Sequence, residues 1–136
     1  MREFVDRVLA LWDGNAAVQD DALDRFREVY ADPVTVNGSL VPLSGMVGRA
    51  RALGEAFTDR ETVVHEVVAG DGAVAFAFEI HAQHTGPWPT SDGGTVEPTG
   101  RPIVVQGLDI FRFDAAGRVA TIWAINDLGE ALARTT

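Results

Sequence analysis

The chain has 136 residues, 46% of them hydrophobic and 23% charged, the proportions of one folded domain. It contains no cysteine, which removes disulfide frameworks and thiolate chemistry. A net charge of −9 repels a phosphate backbone, so nucleic acid is not an expected partner, and no apolar run is long enough to cross a bilayer.

The first stretch, Met1-Arg2-Glu3-Phe4-Val5-Asp6-Arg7, alternates charged and apolar residues and does not read as a signal peptide. Together with the missing cysteines it gives a cytoplasmic location as the expectation. Phe4, Val5, Val8, Leu9, Leu11 and Trp12 recur at helical spacing and predict an amphipathic helix over 2–13, ended by Gly14. Asp20 or Asp21 is placed to cap a second helix, with Leu23, Phe26, Val29 and Tyr30 on its apolar face and Pro33 closing it. Val34-Thr35-Val36 is a short β-type run before the turn signal Asn37-Gly38. Ser44 is placed to cap a third helix, whose Met46, Ala50, Leu53 and Phe57 share a face.

From Thr62 the period becomes two. Thr62–Ala69 and Ala73–His84 are predicted strands joined at Gly70-Asp71-Gly72. The second strand alternates cleanly, with Val74, Phe76, Phe78, Ile80 and Ala82 on one face and Ala75, Ala77, Glu79, His81 and Gln83 on the other. Residues 85–102 form a Pro- and Gly-rich connection of the length that covers binding sites. Ile103–Phe113 and Val119–Ile125 are long apolar strands around the turn Asp114-Ala115-Ala116-Gly117, and a helix follows over Leu128–Ala133. Three helices, four long strands and a short helix give an α+β fold in one domain.

The order of these segments is similar to that of the cone-shaped nuclear-transport-factor-2-like folds. The residues are more specific. His84-x-Gly86-Pro87, Pro98-Thr99-Gly100-Arg101, Gly107-x-Asp109-Ile110-Phe111-Arg112, Gly117-Arg118-Val119 and Trp123-x-x-x-Asp127 occur in sequence, after Tyr30-Ala31-Asp32-Pro33-Val34 and Asn37-Gly38. As an ordered set they resemble the SnoaL-like polyketide cyclases, also called ester cyclases. The resemblance implies a cone-shaped α+β barrel opening on a buried small-molecule pocket. It further implies a homodimer and an acid/base aldol closure that needs no metal or organic cofactor. The family's strand Gln falls at Gln106. The Asp that follows the residue matching Trp123 is replaced by Ala124, and a pocket His of one member falls at Leu108.

Ring closure needs one group to take a C–H proton and another to hold the enolate oxygen. Asp127 is the first candidate carboxylate, although its spacing to Glu130 equally fits a helix cap. Gln106 is placed to hold an oxygen or to bond a neighbouring side chain. His84 ends the apolar row of its strand and should point into the cone, where it would shuttle protons. Asp109 lies on the opposite strand face from Gln106 and Leu108. With Gln106 inward it would face a partner subunit or solvent, and a bulge at Gly107 would reverse that. Trp12, Tyr30, Phe76, Phe78, Trp88, Leu108 and Trp123 are expected to wall the pocket, with Asn37 as a neutral bonding group or a turn residue. His65 and His81 do not pair with His84 as metal ligands. The partners expected are a small hydrophobic ligand and a second copy meeting the outer sheet face, and neither nucleic acid nor membrane. The function expected is cyclisation or isomerisation of a polyketide-like intermediate; the alternative is a binding protein whose chemistry was lost with the Asp at Ala124.

Overall fold

The computed structural model describes residues 1–135. Helix α1, Arg2–Asp13, forms as its spacing predicts and buries Val5, Val8 and Leu11. A single 3₁₀ turn, Ala16–Val18, leads to the short α2, Ala22–Arg27, which buries Ala22 and Phe26. This helix stops earlier than its apolar pattern implies. Tyr30 instead opens β1, Tyr30–Val36, where it lies opposite Val119, and the Val119 N–H bonds the Val29 carbonyl. Strand pairing here overrides a helical spacing of only one turn.

Strand β2, Ser39–Val41, turns back on β1 through Asn37-Gly38, both at positive φ. Helix α3, Leu43–Ala56, begins one residue before Ser44, and Ser44 does not cap it. The first N–H, of Leu43, is bonded 3.0 Å away by the Asp32 carboxylate of β1. Phe57 then belongs to the next strand rather than to the helix.

Strands β3, Phe57–Gly70, and β4, Ala73–His84, are the long hairpin foreseen, with two register shifts in β3 that bend it. The Pro-rich connection carries a miniature hairpin of β5, Trp88–Pro89, and β6, Thr95–Val96. Strands β7, Pro102–Phe113, and β8, Val119–Asn126, precede α4, Leu128–Thr135. The main sheet runs β2-β1-β8-β7-β4-β3. The meander β3-β4-β7-β8 is antiparallel as expected, and β1 adds to it in parallel with β8.

Helices cover only the concave face of this curved sheet. Two groups of buried side chains result. The larger centres on Val5, Val8, Phe26, Tyr30, Met46, Phe76 and Phe111. The smaller centres on Phe57, Ala82, Ile103, Val105 and Leu132.

Candidate functional site

Pairing between β4 and β7 is unbroken from Ala73 opposite Arg112 to Gln83 opposite Pro102. With no bulge at Gly107, strict alternation fixes the direction of every side chain along β7. The odd-numbered row, Ile103, Val105, Asp109 and Phe111, faces the helices, as do Phe76, Phe78, Ile80 and Ala82 of β4. Ile122, Ala124 and Asn126 continue this face on β8. These rows, with α1, α3 and the β5 hairpin, enclose a cavity of about 520 Å³, the size of a site for a small organic molecule.

The assignment of β7 faces is the reverse of the sequence expectation. Gln106 lies on the outer face opposite Glu79, whose carboxylate it bonds, so it holds no oxygen in the cavity. Leu108 is also outside, 46% exposed. Asp109 is the inward carboxylate. The sequence did carry the signal: the odd row of β7 is otherwise Ile, Val, Gly and Phe, whereas the even row holds Gln106 and Arg112.

Asp109 is surrounded by apolar walls, and loss of hydration pushes its pKa from 3.8 to about 7. Tyr30 shares the cavity, fully buried. Burial raises its hydroxyl far above the ordinary value, a bond from Trp12 works against this, and the field of Asp109 adds to it. The Trp12 indole N–H donates to the Tyr30 oxygen at 2.8 Å. Indole cannot accept, so the phenolic proton remains free to be donated into the cavity.

Asp13, Arg49 and Arg60 supply the charged part of the wall. Arg60 reaches from β3 to donate through Nη2 to the Trp12 carbonyl at the C-terminus of α1. Its pKa is drawn down by burial, against the attraction of Asp13. Sequence reasoning passed over all three residues, because they are scattered over α1, α3 and β3.

The other sequence candidates sit elsewhere. Trp12, Tyr30, Phe76, Phe78 and Trp88 line the cavity. Trp123 is on the outer face, 49% exposed. Asn37 bonds both the N–H and the carbonyl of Ala124 and thereby pins the β1–β2 turn to β8, outside the cavity. Asp127 is a latch between strands. Its Oδ1 accepts from the Gln106 N–H at 2.8 Å, and its own N–H donates to the Gln106 carbonyl at 3.1 Å. The N–H of Leu128, at the start of α4, is bonded by Asn126 rather than by Asp127. His84 lies on the inward row but fully buried behind Phe57, with ring centroids 5.2 Å apart, and Phe57 in turn packs on Trp88. Its ring does not reach the cavity wall, so it does not join Gln106 or Asp127 in one site. Among the described residues no three His, Asp or Glu side chains converge on a point that would hold a metal.

A family model, SnoaL-like polyketide cyclase, matches residues 3–134. A comparison with curated proteins returned no match. Among solved structures, TsrD from Streptomyces laurentii superposes with a TM-score of 0.77 at 17% identity, over 98% of this chain and 92% of its own. A SnoaL-like polyketide cyclase from Agrobacterium tumefaciens gives 0.71 at 19%, over 96% and 95%. IdmH from Streptomyces antibioticus gives 0.69 at 21%, over 98% and 97%. At these identities the likeness to solved structures establishes the cone-shaped fold.

Proposed function

The chain belongs to the SnoaL-like polyketide cyclase family, and on that premise we propose that it cyclises or isomerises a hydrophobic, oxygenated, polyketide-like substrate with Asp109 as the proton carrier. The observation that carries this reading is the position of Asp109: a single strand carboxylate inside an apolar cavity, poised near neutrality, whose wall also holds the Tyr30 hydroxyl within reach of its field.

In the proposed reaction the Asp109 carboxylate removes a proton from carbon next to a carbonyl. Tyr30 donates a hydrogen bond to the enolate oxygen as charge develops, and the Trp12 N–H keeps its phenol oriented for that. For ring closure the carbanion attacks a second carbonyl in the same molecule. A C–C bond forms, the carbonyl becomes an alkoxide, and the proton held on Asp109 passes to that oxygen. For isomerisation the same proton returns to a different carbon. Neither route consumes an oxidant or a reductant. Phe76, Phe78, Phe111 and Trp88 exclude water and hold a flat substrate.

Aryl β-ketoesters in D₂O provide the test. Wild-type protein should exchange their α-protons, and Asp109→Asn should lower the rate by roughly 10²-fold or more. Exchange by Asp109→Asn at the wild-type rate would remove Asp109 from the chemistry. Ala124 favours a second reading, a binding protein without turnover. That reading predicts calorimetric binding of the same esters and no exchange by the wild type.

The outer face supports a homodimer. Leu108 pairs with Ile125 across β7–β8, and Ile110 with Trp123, all exposed. The central carboxylate of this face, Glu79, is already occupied by His65, His81 and Gln106. A second copy would bury these apolar pairs against themselves.

A further inference from the structure

The cavity carries its charge unevenly, and the imbalance speaks to the substrate. Asp109 and Tyr30 belong to the sheet side. Arg49 of α3 and Arg60 of β3 border the same space together with Asp13 at the end of α1. Two guanidiniums against one carboxylate leave this part of the wall net positive, in a protein whose total charge is −9. Among the described residues, no carboxylate lies within salt-bridge distance of either arginine.

Part of Arg60 has an internal role. Its Nη2 satisfies the Trp12 carbonyl, one of the last of α1, where a cation also suits the helix dipole. That bond uses one of five N–H donors. It also fixes the guanidinium beside Trp12, the residue whose indole holds Tyr30. One side chain therefore ties the cationic rim to the hydroxyl proposed to hold the enolate. A half-buried guanidinium that feels Asp13 only from beyond ion-pair contact, next to an apolar chamber, suits a ligand oxyanion better than it suits bulk water.

We propose that the substrate is an amphiphilic acid: its apolar, ring-bearing body fills the cavity, and a carboxylate on it is bound by Arg49 and Arg60. The inference deepens the proposed function and rests on that reading's choice of cavity, but not on turnover.

The test is calorimetric binding of 2-naphthoic acid and of its methyl ester, at pH 6 and low salt. Wild-type protein should bind the acid roughly tenfold more tightly than the ester, the ratio expected of one partly desolvated ion pair. Arg49→Gln, at an exposed position that should not perturb folding, should weaken acid binding several-fold and leave the ester unchanged. Arg60→Gln should do the same, and Arg60→Lys should keep most of the preference. Equal affinities, a preference for the ester, failure of the acid to bind, or a preference surviving both Gln substitutions would each overturn the proposal. Asp109→Asn separates the two readings. Loss of proton exchange with the acid preference intact supports both. Exchange unaffected by that substitution, with the preference intact, sinks only the catalytic reading.

Discussion

Asp109 and Ala124 are direct partners across the β7–β8 ladder, and both side chains face the cavity. The position at which the resemblance leads one to expect an acidic residue is therefore occupied by a methyl group, and the carboxylate stands on the neighbouring strand. Residues directly opposite on antiparallel strands have Cβ atoms about 5 Å apart, within the reach of an Asp side chain. A carboxylate at either position serves the same region of the cavity. Asp109→Ala should abolish proton exchange, and Asp109→Ala combined with Ala124→Asp should recover a substantial part of it. A double variant no better than the single one would show that the two positions are not equivalent.

Activity and stability should depend on pH in opposite senses. As a base, Asp109 must be ionised, so exchange should rise with pH through about 7. Folding prefers the neutral carboxyl. Between pH 3.8 and about 7 the unfolded chain gives up this proton while the folded chain keeps it. The folded state then binds more protons, so stability falls across that window and levels off above it. The whole effect is up to about 4 kcal/mol. Asp109→Asn should flatten the fall, and its melting temperature should exceed that of the wild type at pH 8 more than at pH 4.

Tyr30→Phe removes the proposed oxyanion donor and leaves the Trp12 N–H without its acceptor. Turnover should drop by roughly 10²-fold, the lower end of the loss for a single oxyanion donor. Stability should drop by about 1–2 kcal/mol for the stranded indole. Trp12→Phe should cost little in stability beyond lost packing but should weaken turnover through the misoriented phenol. Steady-state rates together with thermal melts would separate the two effects.

Gly107 fixes the shape of the chamber. A Cβ at this position would lie 2.3 Å from the Phe78 ring, which packs directly over the glycine. Gly107→Ala should push that ring into the cavity. Binding of bulky aryl esters should weaken at least tenfold while small ketoesters are less affected, as measured by the ratio of their dissociation constants.

Asp127 should behave as a structural residue. Asp127→Ala removes the acceptor of the Gln106 N–H and should lower stability by about 1–2 kcal/mol. Exchange per folded molecule should stay at the wild-type level. A turnover loss far beyond the loss of folded protein would return Asp127 to the mechanism.

Periodicity alone determined the class of fold, the first helix, the long hairpin β3–β4 and the strands β7 and β8, because local spacing settles whether a segment can bury one face. It also drew the pocket aromatics Trp12, Phe76 and Phe78 to the fore. The site itself depended on the tertiary structure. Period two places Gln106 and Asp109 on opposite faces but cannot say which face is inside. That was settled by unbroken pairing of β7 with β4, whose Phe76–Phe78 row was already committed to the helices. His84 has the correct strand parity for the cavity, yet Phe57, brought in by the end of α3, stands in front of it. Arg49 and Arg60 come to line one cavity from two segments whose spacing in sequence says nothing about it. A strand's alternation is a property of its own backbone; which side receives the core, and which charges gather at its rim, depends on what packs against it.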